Sequence, residues 1–176
     1  IRPTVHGMAE EGNDFTGFLY AGLMIAADGT PKVLEFNVRL GDPETQPVML
    51  RLKSDLVALC LAAIDGHLER TDIEWDRRAS LGVVLAAGGY PESYRTGDVI
   101  EGLPAVDDKM CKVFHAGTQE KDGKLVTAGG RVLCACALGD TIAAAREKAY
   151  CCVEGIDWAD VYYRTDIGYR ALVREK

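Results

Sequence analysis

Val33-Leu34-Glu35-Phe36-Asn37-Val38-Arg39-Leu40-Gly41-Asp42-Pro43-Glu44-Thr45-Gln46 changes character twice along its length. Its first half alternates apolar and polar residues, the period of a half-exposed strand. Gly41-Asp42-Pro43-Glu44 is then a run of turn formers, and a helical pattern opens at Thr45. Successive strand side chains face opposite ways. The alternation therefore predicts Leu34, Phe36, Val38 and Leu40 in a core, and Glu35, Asn37 and Arg39 together on the other face. Members of that triplet would follow one another at roughly 6 to 7 Å. Two readings of the polar face are open. Antiparallel hairpins commonly carry a solvent-facing polar stripe. A carboxylate and an amide carbonyl so placed are also hard oxygen ligands suited to one or two Mg²⁺ ions, with an arginine beyond them whose planar fork suits phosphate or carboxylate. The sequel favours the second reading: a loop carrying Asp42 and Glu44 runs straight into a helix N-terminus, a natural place for anions. Asp42 or Thr45 also suits that helix as its cap.

Outward from this stretch the chain divides in two. Gly17 to Ile25 reads as a buried strand, Asp28-Gly29-Thr30-Pro31 as a turn, and Lys32 to Leu40 as the returning strand. From Thr45 to Leu68 a single long helix is expected, with Met49, Leu52, Leu56, Leu59 and Cys60 at helical spacing and Gly66 near its end. Residues 69–78 are polar and read as a linker. Beyond it, Leu81 to Ala87 is an apolar run closed by the turn Gly88-Gly89-Tyr90-Pro91. Lys112 to Ala116 and Lys124 to Thr127 are expected to flank an Asp122-Gly123 hairpin turn. Arg131 to Leu138 reads as a buried strand. Asp140 or Thr141 caps a helix running to about Gly155, with Ile142, Ala145, Ala149, Cys152 and Val153 on one face. Val161-Tyr162-Tyr163 is placed at the sheet. The expected class is α+β: antiparallel strands and a long helix over residues 1–68, then a small mixed α/β domain over 79–176.

Composition narrows the function. Of 176 residues, 48% are hydrophobic and 27% charged, which argues against intrinsic disorder. With 20 basic against 27 acidic side chains the net charge is −7, so nucleic-acid phosphates would meet repulsion. The longest uncharged apolar stretch, Phe15 to Ala27, is shorter than the roughly 18 to 20 residues needed to cross a bilayer. No nucleic-acid or membrane partner is expected. Six cysteines contain no C-x-x-C pair, and the three histidines show no ligand spacing. Most cysteines sit in apolar runs and are expected as free buried thiols of a cytoplasmic protein. Ile1 in place of Met points to a fragment or a processed product.

Glu35-x-Asn37-x-Arg39 at the end of a hairpin resembles the metal strand of the ATP-grasp ligases. The continuation Arg39-Leu-Gly-Asp-Pro-Glu-Thr-Gln46 is similar to the signature of one branch, the phosphoribosylamine–glycine ligases (glycinamide ribonucleotide synthetases). The resemblance extends over essentially the whole chain, through Phe18 to Ile25, Lys53 to Leu56, Leu81 to Pro91, Phe114 to Thr118, Gly129 to Val132, Ala137 to Asp140 and Asp166 to Ala171. It implies the C-terminal part of an ATP-grasp domain over 1–68 and a small C-terminal domain over 79–176. It also implies amide formation from glycine and 5-phosphoribosylamine driven by ATP, with glycinamide ribonucleotide, ADP and phosphate as products. Carried over residue by residue, Glu35 and Asn37 would be ligands of Mg²⁺ (or Mn²⁺), and Arg39 would stabilise the transferring phosphoryl or acyl phosphate. Gly41, Asp42, Pro43 and Glu44 would shape the pocket for the amine. The chemistry agrees, because phosphoryl transfer to a carboxylate joins two anions and asks chiefly for positioning and charge neutralisation.

Two departures accompany the resemblance. Many ATP-grasp relatives carry an acidic metal ligand on the preceding strand, whereas Gly17 to Ala27 holds no acid. The family's N-terminal half, with the lysines that hold ATP phosphates, would lie before Ile1, so this chain is expected to hold half a site and to require that half as its partner. A biotin-dependent carboxylase shares the E-x-N-x-R strand but not Gly41-Asp42-Pro43-Glu44, and a non-catalytic structural segment is the other alternative. Gly88 to Pro91 and Gly129-Gly130-Arg131 read as ordinary turns. Arg164, Asp166 and Arg170 read as surface ion pairs, His115 as a strand histidine, and Trp75 and Trp158 as core or linker anchors.

Overall fold

The computed structural model describes residues 1–104 and 111–174. They form two compact units, one made of Ile1–Thr45 and Leu52–Trp75, the other of Gln46–Arg51 and Asp76–Lys176.

The first unit opens with α1 (Arg2–Glu10), which has a proline in its first turn, where the missing N–H costs nothing. A hairpin of β1 (Tyr20–Ile25) and β2 (Pro31–Asn37) follows. The Thr30 N–H donates to the Asp28 carboxylate at 2.9 Å across the turn and holds that carboxyl below its ordinary range. Tyr20 lies opposite Asn37 and Gly22 opposite Glu35, but Leu23 lies opposite Val33. Leu34 is thus the extra residue of a bulge, and a bulge resets which face each side chain takes. Glu35 and Asn37 share one face with Tyr20 and Gly22. Phe36 and Val33 share the other with Ala21 and Leu23.

Two expectations for this strand are corrected. Leu34, Phe36 and Val38, expected in a core, are 65%, 42% and 73% exposed, and Leu40 is half-buried. A two-stranded ribbon buries a face only against a further layer, and the apolar face of this one lies open. The strand also ends at Asn37, so Arg39 sits in the bend beyond it and does not continue the row of Glu35 and Asn37.

The long helix expected over 45–68 is two helices, α2 (Thr45–Arg51) and α3 (Leu56–Ile64). Leu52 leaves helical geometry to form an antiparallel bridge with Trp75, and the Lys53 N–H donates to the Glu74 carbonyl at 3.0 Å. Asp55 restarts the helix as N-cap, accepting from the N–H groups of Val57 (2.8 Å) and Ala58 (3.0 Å). Residues expected as a linker therefore contain a single 3₁₀ turn (Leu68–Arg70) and this bridge. Val57, Leu61 and Ile64 form an exposed apolar stripe along α3.

The second unit is built on a three-stranded antiparallel sheet of order β3-β7-β4, with β3 at Ala79–Ala86, β7 at Arg131–Gly139 and β4 at Cys111–His115. Leu81, Val83 and Leu85 of β3, Leu133, Ala135 and Ala137 of β7, and Val113 of β4 form one face. They pack with Ala145, Ala149 and Val153 of α4 (Ile142–Glu154) in the core. Thr141 caps α4, accepting from the Ala144 N–H at 3.1 Å. The opposite sheet face carries Gly82, Cys134 and Cys136, with Pro47 of α2 against Gly82. The partner of β6 (Lys124–Thr127) across Asp122-Gly123 is β5 (Thr118–Lys121), so the pairing expected for Lys112 to Ala116 is corrected: that strand, β4, joins the sheet beside β7. Asp122 and Gly123, at φ of 51° and 71°, supply the left-handed pair that a two-residue hairpin turn needs. Tyr162 bridges to Ala86 at the sheet edge, Trp158 is buried in the core, and Trp75 is exposed. A short α5 (Tyr169–Arg174) ends the described chain. Among the described residues no helix is long and apolar enough to cross a membrane.

The cysteines are free thiols of unequal access. Cys134 and Cys136 are buried with sulfurs 3.5 Å apart, Cys60, Cys111 and Cys152 are half-buried, and Cys151 is exposed on α4. The contact with Cys134, together with burial, pushes the Cys136 thiol far above its ordinary range. Titration of the native chain with a disulfide reagent at pH 8 should label Cys151 first. Cys134 and Cys136 should react roughly 100-fold or more slowly, because only the opened sheet exposes them. Equal rates would show that the sheet opens readily.

Candidate active site

The hairpin brings Glu35 and Asn37 to one face by strand alternation, and the residues opposite them leave room for what they do. A Cβ on Gly22 would stand 3.0 Å from Glu35 Cγ, so glycine lets the acidic side chain lie across β1. The Nδ2 atom of Asn37 is buried and has no hydrogen-bond partner among the described residues. Rotation of the amide exchanges its oxygen and nitrogen, so the residue holds a polar group in a position where a ligand would satisfy it.

Past the bend, Gly41 is buried. A Cβ there would come 2.6 Å from a carboxylate oxygen of Glu44 and 2.8 Å from the Tyr20 ring. The carbonyl of Gly41 accepts from both the N–H (3.0 Å) and the hydroxyl (2.5 Å) of Thr45, tying the Gly41–Glu44 loop to the first turn of α2. The Asp42–Pro43 peptide is cis. Tyr20 therefore faces Asn37 across the ladder and packs beside Gly41 and Glu44. The same tyrosine places the amide end of β2 and the loop at one end of the hairpin. Arg39 stands apart, its guanidinium donating to the Leu40 carbonyl at 2.8 Å.

Tyr20, Gly22 and Thr45 are the residues that sequence reasoning missed. The pairing register reveals the first two, and no motif in β1 announces them. Thr45, expected as a cap, instead donates its hydroxyl back to the Gly41 carbonyl. Among the described residues no three of His, Cys, Asp and Glu converge. Glu35 and Asn37 would thus hold a small hard cation as a pair, with its remaining positions filled by water and phosphate oxygens. Magnesium commonly accepts that arrangement, and the unsatisfied Asn37 amide fits it.

Gly88 to Pro91 form a turn, and Gly129-Gly130 form a bend that leads into β7, whose first residue Arg131 lies over the Tyr90 ring at 6.0 Å. His115 Nδ1 lies 3.2 Å from the Thr118 hydroxyl, a local strand-end contact.

Comparison with known proteins places this geometry. Residues 80–170 match the family model described as phosphoribosylglycinamide synthetase, C domain, and residues 1–45 match that described as phosphoribosylglycinamide synthetase, ATP-grasp (A) domain. Over the full chain, phosphoribosylamine–glycine ligase of Vibrio parahaemolyticus is 61% identical and that of Escherichia coli K12 is 62% identical. The chain spans 41% of the length of each. The solved phosphoribosylamine–glycine ligase of Thermotoga maritima superposes with a TM-score of 0.74 at 41% identity, covering 92% of this chain and 39% of that one. The biotin carboxylase domain of Hydrogenobacter thermophilus 2-oxoglutarate carboxylase, at 15% identity and a TM-score of 0.62 over 91% of this chain and 35% of its own, shares the fold. With one family's two successive domains matched in order, this chain belongs to the phosphoribosylglycinamide synthetase family.

Proposed function

We propose that the enzyme containing this chain joins glycine to 5-phosphoribosylamine at the expense of ATP, releasing glycinamide ribonucleotide, ADP and phosphate in the cytoplasm. The observation that supports this most is the junction at Tyr20, where the Glu35–Asn37 face meets the Gly41–Glu44 loop. In the proposed reaction a carboxylate oxygen of glycine attacks the terminal phosphorus of ATP and the bond to ADP breaks. The amine nitrogen then attacks the carbonyl carbon of glycyl phosphate, and phosphate leaves as the amine sheds a proton. Mg²⁺ or Mn²⁺, when bound, would supply charge neutralisation between the two anions. Glu35 and Asn37 hold and orient the oxygen-ligand side of that site. Arg39, on the bend beyond β2, exchanges its bond to the Leu40 carbonyl for the acyl phosphate, which its fork suits. Gly41, Asp42, Pro43 and Glu44 wall the amine pocket, and Thr45 fixes their backbone.

The N-terminal part of the same enzyme is the partner we propose for the first unit. The open hairpin face with Ala21, Leu23, Val33 and Phe36, and the stripe Val57-Leu61-Ile64, are large apolar surfaces of the kind that mark an interaction site. Residues 1–68 then serve as the C-terminal part of the ATP-grasp domain and 79–176 as the small C-terminal domain.

The test measures ADP release by the intact enzyme with glycine and phosphoribosylamine, and separately with bicarbonate and biotin. Release should require both members of the first pair. Release with the second pair would overturn the proposal in favour of a carboxylase, a reading that the Gly41–Glu44 loop disfavours.

A further inference from the structure

The second unit carries a cavity of about 740 Å³ outside everything described so far. Arg164, Asp166, Ile167, Tyr169, Arg170 and Arg174 line it. Three guanidinium groups against one carboxylate is a locally basic surface on a chain whose net charge is −7.

The wall of this cavity is rigidly built. Tyr150 of α4 donates its hydroxyl to the Arg164 carbonyl at 2.6 Å, and accepts from the Ile167 N–H at 3.1 Å. Arg146, one turn earlier on α4, donates to the carbonyls of Thr165 (2.7 Å) and Ile167 (3.0 Å) with its guanidinium over the Tyr150 ring. Gly168 then turns the chain at φ 82°, so close to the core that a Cβ would stand 2.7 Å from a methyl of Leu81. Segment 164–168 is thereby fixed to the helix and the sheet before any ligand arrives, which lowers the entropic cost of binding. Arg170 and Arg174 lie one turn apart on α5 and so project from the same side of it. The Nε of Arg170 donates to the Tyr169 hydroxyl at 2.9 Å. Arg164 is held by Asp166 through two parallel bonds of 2.9 and 2.7 Å, so its fork is already in carboxylate-binding geometry.

We propose that this cavity is a binding site for the phosphate or diphosphate group of a small-molecule ligand, gripped by Arg170 and Arg174 with Arg164 as third donor. Asp166 competes for Arg164 and tempers the site. Guanidinium forks match phosphate oxygens in pairs, and Tyr169 and Ile167 offer an apolar wall to the body of the ligand.

The experiment titrates the intact enzyme with sodium pyrophosphate in EDTA, at ionic strength held constant with sodium chloride. Heat and the arginine side-chain N–H resonances are followed. Saturable one-to-one binding is expected, weakened at least tenfold in the R170A/R174A double variant and strengthened severalfold in D166N. The D166N arm keeps the test decisive if the double variant fails to fold. The double variant also separates this site from the proposed ligase site, whose residues it leaves intact. A non-saturating response, unchanged binding in a folded R170A/R174A variant, or weaker or unchanged binding in D166N would each overturn the proposal.

Discussion

Glu35→Gln should lower the proposed ligase turnover of the intact enzyme by about two to three orders of magnitude at saturating substrates, with a shift to higher Mg²⁺ demand. The size follows from what the carboxylate is asked to do. A divalent cation between two reacting anions is worth several kcal/mol of transition-state stabilisation, and each ~1.4 kcal/mol is a factor of ten. Glutamine keeps the shape and one oxygen donor but removes the charge, so weaker metal occupancy is expected, with no collapse of the hairpin. Mn²⁺ binding followed by paramagnetic resonance gives a readout independent of turnover and should weaken in parallel. Asp28→Asn is the matched control. Asp28 is the other acid of the hairpin, but its carboxylate serves the turn through Thr30, at the opposite end from Asn37. Removing its charge should leave turnover within about twofold. A Glu35→Gln enzyme with unchanged Mg²⁺ dependence would take Glu35 out of the metal site.

What was legible beforehand, and what was not, divides along the range of the interaction. Thr141 as a cap, the apolar run of β7 and the Asp122-Gly123 turn are local, and their residues announce them. The break between α2 and α3 has a local signal, yet the apolar spacing of Met49, Leu52 and Leu56 runs through it and hides the Asp55 cap. Periodicity outvoted capping there, and the Leu52–Trp75 bridge decided the outcome. The bulge at Leu34 belongs to the pairing of two strands, so alternation on β2 alone could not show it. For the same reason Tyr20 went unnoticed: it gains its place beside Asn37 and Gly41 only once the register is set. Glu35 and Asn37 were legible as a pair because both lie inside the strand. Alternation does not carry on to Arg39, because the strand ends at Asn37. The exposure of Leu34, Phe36 and Val38 reflects burial, a property of whole layers that a single ribbon does not supply.

Gly139→Ala tests how closely α4 is seated on β7. At the end of β7 a Cβ would stand 2.3 Å from the backbone nitrogen of Ala145 and 2.7 Å from the carbonyl carbon of Ala144. Those are main-chain atoms in the first turn of α4, so no side-chain rotation relieves the clash. The helix itself must move. Ala145, Ala149 and Val153, all fully buried, form the face that seats α4 on the sheet, and a shift at its N-terminus loosens each of them in turn. Overpacking of a filled core costs about 1–3 kcal/mol and occasionally more. The rigid neighbour puts this substitution at the upper end, with a fall in unfolding free energy of about 3 kcal/mol. Gly7→Ala, the same chemical change inside α1 where no described residue lies within 4 Å of the new methyl, should be neutral or stabilising by up to ~1 kcal/mol. Urea unfolding of the two variants, monitored by circular dichroism, separates them. If Gly139→Ala matched Gly7→Ala, α4 could not be seated against β7 as closely as the alanine-lined interface requires.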